Sequence, residues 1–118
     1  MMENTKLLLR VFAEASSTEE ATKIGSEIVE QVEKEADRVE FNSKKYWKIP
    51  EYFEITFDIN VVSSSEFGFS TLMSRLGTGW EFHNVRNGKW AVWNFDNNIS
   101  VNNFCHSKVR WAHLEMTD

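Results

Sequence analysis

The stretch Trp80–Phe95, WEFHNVRNGKWAVWNF, places Asn87-Gly88 between two runs rich in aromatic and β-branched residues. Asn-Gly supplies the positive φ angles of a type I′ turn, whose twist matches that of paired strands. The spacing predicts an antiparallel hairpin, roughly Trp80–Arg86 against Lys89–Phe95. In its second arm Ala91, Trp93 and Phe95 share one face, and Trp90, Val92 and Asn94 the other. Each face carries a tryptophan, so neither is plainly the wet one. An isolated hairpin is marginal in water. The rest of the chain has to supply a sheet and a cover for it.

Working outward, Tyr52–Val61 is the cleanest strand. Phe53, Ile55, Phe57, Ile59 and Val61 alternate with Tyr52, Glu54, Thr56, Asp58 and Asn60. The apolar set is expected against a helix layer and the polar set in water. Lys6–Phe12 is apolar on both faces, as in a strand interior to a sheet. Ser17 and Glu20 form a capping-box signature, and Ala21, Ile24, Ile28, Val32 and Ala36 follow as one helical stripe. Gly25 inside this helix either admits a strand closely or is merely tolerated. Val39–Ile49 reads as a strand with a bulge or turn at Asn42–Lys45, and Pro50 ends it. Ser63–Glu66 opens a second helix with an apolar stripe of Phe69, Leu72, Met73 and Leu76, and Gly77 is placed as its stop. Ile99–Phe104 has some strand character. Lys108–Met116 is a last strand, with Val109, Trp111, His113 and Glu115 on one side.

The predicted order is β-α-β-β-α-β-β-β, an α+β class with two helices on one face of an antiparallel sheet. Its first six elements match a ferredoxin-like split βαβ, extended by C-terminal strands. A chain of 118 residues, with 42% hydrophobic and 26% charged residues, is read as one α+β domain over 1–118. The single cysteine excludes an internal disulfide framework and fits a reducing, cytoplasmic compartment. No run approaches the roughly 20 apolar residues of a membrane span, and MMENTKLLLRVF lacks the features of a signal peptide.

No catalytic motif is visible. Cys105, His106, His113 and His83 are the only metal candidates, and they lack the paired spacing of a zinc site. Neither a metal nor a cofactor is expected. His83 and His113 on aromatic-rich strands read as packed or surface residues before they read as an acid–base pair. The net charge of −5 is uneven. Glu14, Glu19, Glu20, Glu27, Glu30, Glu33, Glu35, Asp37 and Glu40 face only Lys23, Lys34 and Arg38 over the first helix and its flanks. The plain reading is a solvated helix face. Such a stripe repels phosphate backbones, which argues against nucleic acid, and it steers basic proteins. Tyr52, Trp90 and Trp111 would be the stacking platforms of an RNA-binding alternative, opposed by Glu54 and Asp58 on the same strand as Tyr52.

In whole-chain character, and in its tryptophan-rich strands GWEFHNV, KWAVWNF and VRWAHLEM, the chain resembles the small acidic immunity proteins of bacterial toxin–immunity systems, including those of contact-dependent growth inhibition. The resemblance implies a non-enzymatic protein that binds a cognate toxin, often a nuclease, and blocks its active site. It carries no residue roles. A basic toxin domain is the expected partner, with no membrane or nucleic-acid contact. A small-ligand-binding or RNA-binding α+β module is the alternative. The candidate contacts are Tyr52, Glu54, Thr56 and Asp58 on one sheet face, with Glu27, Glu30 and Glu33 on the first helix. Of the two surfaces the sheet face is favoured, because it offers uncharged residues beside the acids.

Overall fold

The computed structural model describes residues 4–62, 65–85, 88–95 and 103–117. In chain order the elements are β1 (Asn4–Glu14), α1 (Thr18–Val32), β2 (Arg38–Lys45), β3 (Tyr52–Val62), α2 (Ser65–Leu76), β4 (Gly77–Thr78), β5 (Glu81–Val85), β6 (Gly88–Asn94), β7 (Asn103–Phe104) and β8 (Val109–Met116). Six strands form one sheet in the order β2-β3-β1-β8-β6-β5, and every neighbouring pair is antiparallel. The run β2-β3-β1-β8 is the strand order of a split βαβ unit, with β8 in its fourth place. The β5–β6 hairpin, inserted between α2 and β8, extends the sheet beyond that fourth strand. A small second sheet pairs β4 with β7.

The alternation in the sequence decides which face is covered. Leu7, Leu9, Val11 and Ala13 of β1 are buried with Phe53, Ile55, Phe57, Ile59 and Val61 of β3. They meet Ile24, Ile28 and Val32 of α1 and Phe69, Leu72 and Leu76 of α2. The hairpin contributes Ala91 and Trp93 to the same core. Trp93 donates its indole N–H to the Thr78 carbonyl at 2.9 Å, and Trp80 donates to Met73 and Gly77 carbonyls at 3.0 and 3.1 Å. Both indoles thereby pin the short β4 strand over the end of the core, where Phe104 packs on Trp93 with ring centroids 4.9 Å apart.

Several expectations are revised. The polar residues Asn42–Lys45 do not interrupt β2: Arg38 to Lys45 pair without a break against Asn60 to Phe53. They are the ordinary alternation of an edge strand. α1 stops at Val32, where the Glu33 N–H bonds the Val29 carbonyl, so Ala36 packs on the core from beyond the helix. The capping box is shifted by one residue. Ser17 Oγ accepts from the Glu20 N–H, while the Glu20 carboxylate accepts from the hydroxyl and N–H of Ser16. Those bonds hold its carboxyl below the usual range, the side-chain bond contributing most. Gly77 does not end α2 in a left-handed conformation; it enters β4, and a Cβ there would lie 2.4 Å from the Asn103 carbonyl oxygen. In β8, Val109 does not share a face with Trp111. A bulge sets Trp111 opposite Phe12 and Val109 opposite Ala13, leaving Arg110 as the extra residue. The turn residues Arg86-Asn87, the helix-start residues Ser63-Ser64 and most of the Ile99–Phe104 segment lie outside the described residues.

Gly25 has a packing reason. A Cβ there would lie 2.3 Å from the Phe41 ring of β2, which itself packs on Phe57 with centroids 5.5 Å apart. Gly25→Ala gains about 1 kcal/mol of helix propensity and meets an overpacking cost of about 1–3 kcal/mol. Because Phe57 backs the ring, the cost is expected to win, lowering stability by about 1 kcal/mol in urea denaturation. A midpoint at or above that of the unmodified chain would show that the β2 edge yields freely.

Candidate functional site

Both helices lie on one face of the sheet, so its other face is uncovered. The register lays out what that face presents. Phe12 stands opposite Glu54 on one side and Trp111 on the other; Arg10 stands opposite Thr56 and His113. Val92 follows beside His113, Trp90 beside Glu115, and His83 beside Trp90. An aromatic band therefore crosses β1, β8, β6 and β5. Tyr46 packs on Phe12 at 4.6 Å and Phe12 on Trp111 at 5.1 Å between ring centroids. His113 stacks on Trp111 at 6.0 Å and His83 on Trp90 at 5.1 Å.

At one end the band opens into a groove of about 470 Å³ walled by Phe12, Tyr46, Ile49, Tyr52, Phe95 and Trp111. The bulge in β8 aims Arg110 into it, where Nε donates to Glu14 at 3.1 Å and the guanidinium lies 4.4 Å from the Phe95 ring centre. The surroundings are exposed and apolar: Trp47 is 81% exposed, Phe95 53% and Ile49 40%. Such a cluster is unusual on a surface that only faces water.

The predicted contact residues are dispersed. Tyr52 is a wall of the groove. Thr56 is half-buried beside Arg10, and Asp58 is exposed, opposite Leu8 and Glu40. Glu54 does not face water as expected, being only 8% exposed. One of its oxygens accepts from Arg10 Nε and Nη2 at 3.0 and 2.8 Å, and Lys44 lies 3.6 Å from the other. A carboxylate on an otherwise wet face is buried here because two cations on neighbouring strands fold over it. On α1, Glu30 and Glu33 are exposed, while Glu27 pairs with His106 of the loop before β8. α1 lies on the covered side, so its acids do not join the sheet-face residues in one site. Sequence reasoning did not single out Tyr46, Trp47, Ile49, Phe95 or the outward role of Phe12. The signal available was an aromatic pair beside a proline in a loop, since loops on rigid scaffolds carry binding residues.

The candidates for chemistry are spread as well. His106 Nδ1 accepts from the Lys108 N–H at 3.1 Å, so Nε2 carries the proton and donates to Glu27. Cys105 is half-buried, and burial pushes its thiol up to about 12, leaving no thiolate at neutral pH. Burial lowers the pKa of His113 below the ordinary histidine value; Glu115 raises it and Arg10 lowers it further. Among the described residues no group of three or more histidine, cysteine or acidic side chains could hold a metal ion, and no helix is long and apolar enough to cross a membrane. Comparison with family models finds no match, and neither the curated proteins nor the solved structures contain a significant match to this chain.

Proposed function

We propose that this chain is a protein-binding module that neutralises a cognate bacterial toxin by covering its active site. The observation that supports the reading is the aromatic groove on the uncovered sheet face, with Trp47 exposed at its edge. Interfaces are anchored by a few aromatic side chains that exclude water, while a polar rim sets partner choice. Phe12, Tyr46, Tyr52 and Trp111 supply the anchor. Asp58, further along β3 on the same face and outside the groove, is an exposed carboxylate within reach of a partner that covers more of the sheet. Glu30 and Glu33 on the opposite layer add a long-range field that draws in a basic domain without touching it. The toxin assignment, with a nuclease as the implied class, rests on the resemblance in charge, size and tryptophan-rich strands.

The stacked His–Trp pairs favour a second reading, a platform for unpaired RNA bases. Glu40, Asp58, Glu81 and Glu115 lie on the same face and repel a phosphate backbone.

Co-expression tests the proposal. On this reading a toxic domain is encoded beside this chain; bacteria expressing that domain are expected to grow only when the chain is present, and the two proteins to co-purify in equal amounts. Growth arrest unaffected by the chain would remove the toxin assignment. Retention of single-stranded RNA by the purified chain, lost on Trp90→Ala, would favour the platform instead.

A further inference from the structure

We infer that, in the absence of any other partner, two copies of this chain associate through a two-fold exchange in which Trp47 of each enters the aromatic groove of the other. Knob and hole lie in one patch. Trp47 follows Tyr46, a wall of the groove, with the two ring centroids 6.4 Å apart. Its own indole is 81% exposed and lines no part of the groove, so it projects away from the surface beside the hole. A two-fold contact brings the same patch of both copies together, so that each residue and its counterpart are used twice. A patch with a projecting indole next to an aromatic slot is complementary to itself under that operation.

The charge layout fits an uncharged insert. Glu14 and Arg110, the charged residues of the groove lining, are paired with each other. The cationic positions over the nearby rings are held by the chain's own side chains: Arg10 lies 5.6 Å from the Phe12 ring centre, Lys48 5.1 Å from Trp47 and Arg110 4.4 Å from Phe95. A lysine or arginine from a partner would find those positions filled and one carboxylate already engaged. An indole brings a large apolar area and a π face for offset packing on Trp111 or Phe12, and asks for no free charge in the groove.

The area sets the class of contact. An indole buries on the order of 200 Å². Two insertions with the surfaces they cover come to roughly 800–1,000 Å², below the size of standard stable interfaces. A contact of that size belongs with weak, transient encounters, for which a dissociation constant on the order of 10–100 µM is the expectation to be measured. The contact occupies the groove assigned above to the toxin anchor. A toxin would have to displace the second copy.

Sedimentation velocity on the purified chain, from about 5 to about 500 µM to bracket that range, tests this without the toxin. The unmodified chain is expected to pass from monomer to dimer across the series. Trp47→Ser and Ile49→Lys, both on exposed side chains, are each expected to weaken association at least tenfold while leaving the melting temperature unchanged. A purely monomeric chain at the highest concentration overturns the inference. So does a dimer indifferent to both substitutions. If Trp47→Ser leaves self-association unchanged yet abolishes protection in the co-expression test, the toxin is the occupant and the second copy is not. A dimer without toxin protection leaves the exchange standing and removes the proposed function.

Discussion

Exchanging Glu54 for lysine is expected to destabilise the folded chain by about 2–3 kcal/mol, below most of the range for breaking a fully buried ion pair from one side because Arg10 and Lys44 keep much of their contact with water. The Glu54 carboxylate is nearly out of solvent and holds two cations, Arg10 through two N–H bonds and Lys44 at longer range. A lysine there would lose both interactions and place a third positive charge between them. Arg10 matters to the size of the effect. Its side chain is 41% exposed, so when the carboxylate is merely neutralised, water rehydrates part of the guanidinium. Glu54→Gln is therefore expected to cost less, about 1–2 kcal/mol. Asp58→Lys, on an exposed side chain four residues along β3 on the same face, should stay within about 0.5 kcal/mol of the unmodified protein. Urea denaturation of the three variants separates these outcomes. If Glu54→Lys is as stable as Asp58→Lys, the Arg10 pair contributes nothing and the carboxylate is free to meet a partner. The expected order changes how an interface is probed. Charge reversal at residue 54 would mix lost stability with lost binding, whereas reversal at Asp58 reports on the surface itself, as slower association with reduced sensitivity to salt.

The burial of Glu54 marks where single-strand reading stops. The alternation along Tyr52–Val61 assigned every apolar side chain to the covered face, because a period of two is local information. Whether a carboxylate on the other face meets water depends on which strands flank it. Arg10 and Lys44 are separated from Glu54 in the chain and become its neighbours only through the pairing of β3 with β1 and β2. The same division explains the other revisions. The capping signature at Ser17, the stripe on α1 and the arms of the hairpin are properties of contiguous segments, and they were legible. The bulge in β8 was not, because one extra residue is invisible until a partner strand fixes the register. That bulge turns Val109 into the core and Arg110 into the groove, so missing it meant missing a wall of the candidate site. The groove itself is built from β1, β3, β8, the β2–β3 connection and the end of β6. Each contributes one or two aromatic residues that look unexceptional in its own segment. Composition announced that aromatic side chains were plentiful, and only the strand order β2-β3-β1-β8-β6-β5 gathers them at one end of one face.

Replacing Ile55 by alanine is expected to cost about 2–5 kcal/mol, the range for removing a large aliphatic side chain from a packed core. Ile55 is fully buried and stands opposite Val11 on β1 and Ser43 on β2. β3 is flanked on both sides, so its backbone is held in two ladders and cannot shift to close the space left behind. The upper half of the range follows from that rigidity, since the cost of a cavity grows with how little its walls relax. Thr56 provides the control. It is the next residue on the same strand, points to the uncovered face and is half-buried beside Arg10. Thr56→Ala removes little apolar contact and is expected to change stability by less than about 1 kcal/mol. The comparison keeps strand, ladder position and backbone hydrogen bonds constant and varies only the face. Two effects could narrow the difference: a lower β propensity for alanine at both positions, and compaction of the unfolded chain around Ile55. The first spans about 1 kcal/mol at most and acts on both variants. The second reduces the apparent burial of an aliphatic side chain by roughly 10–40%. Neither is large enough to bring a loss of several kcal/mol down to the level of the control. Equal urea midpoints for Ile55→Ala and Thr56→Ala would therefore mean that the helices do not cover the face that buries Ile55, and the aromatic groove would lose its standing as an open surface.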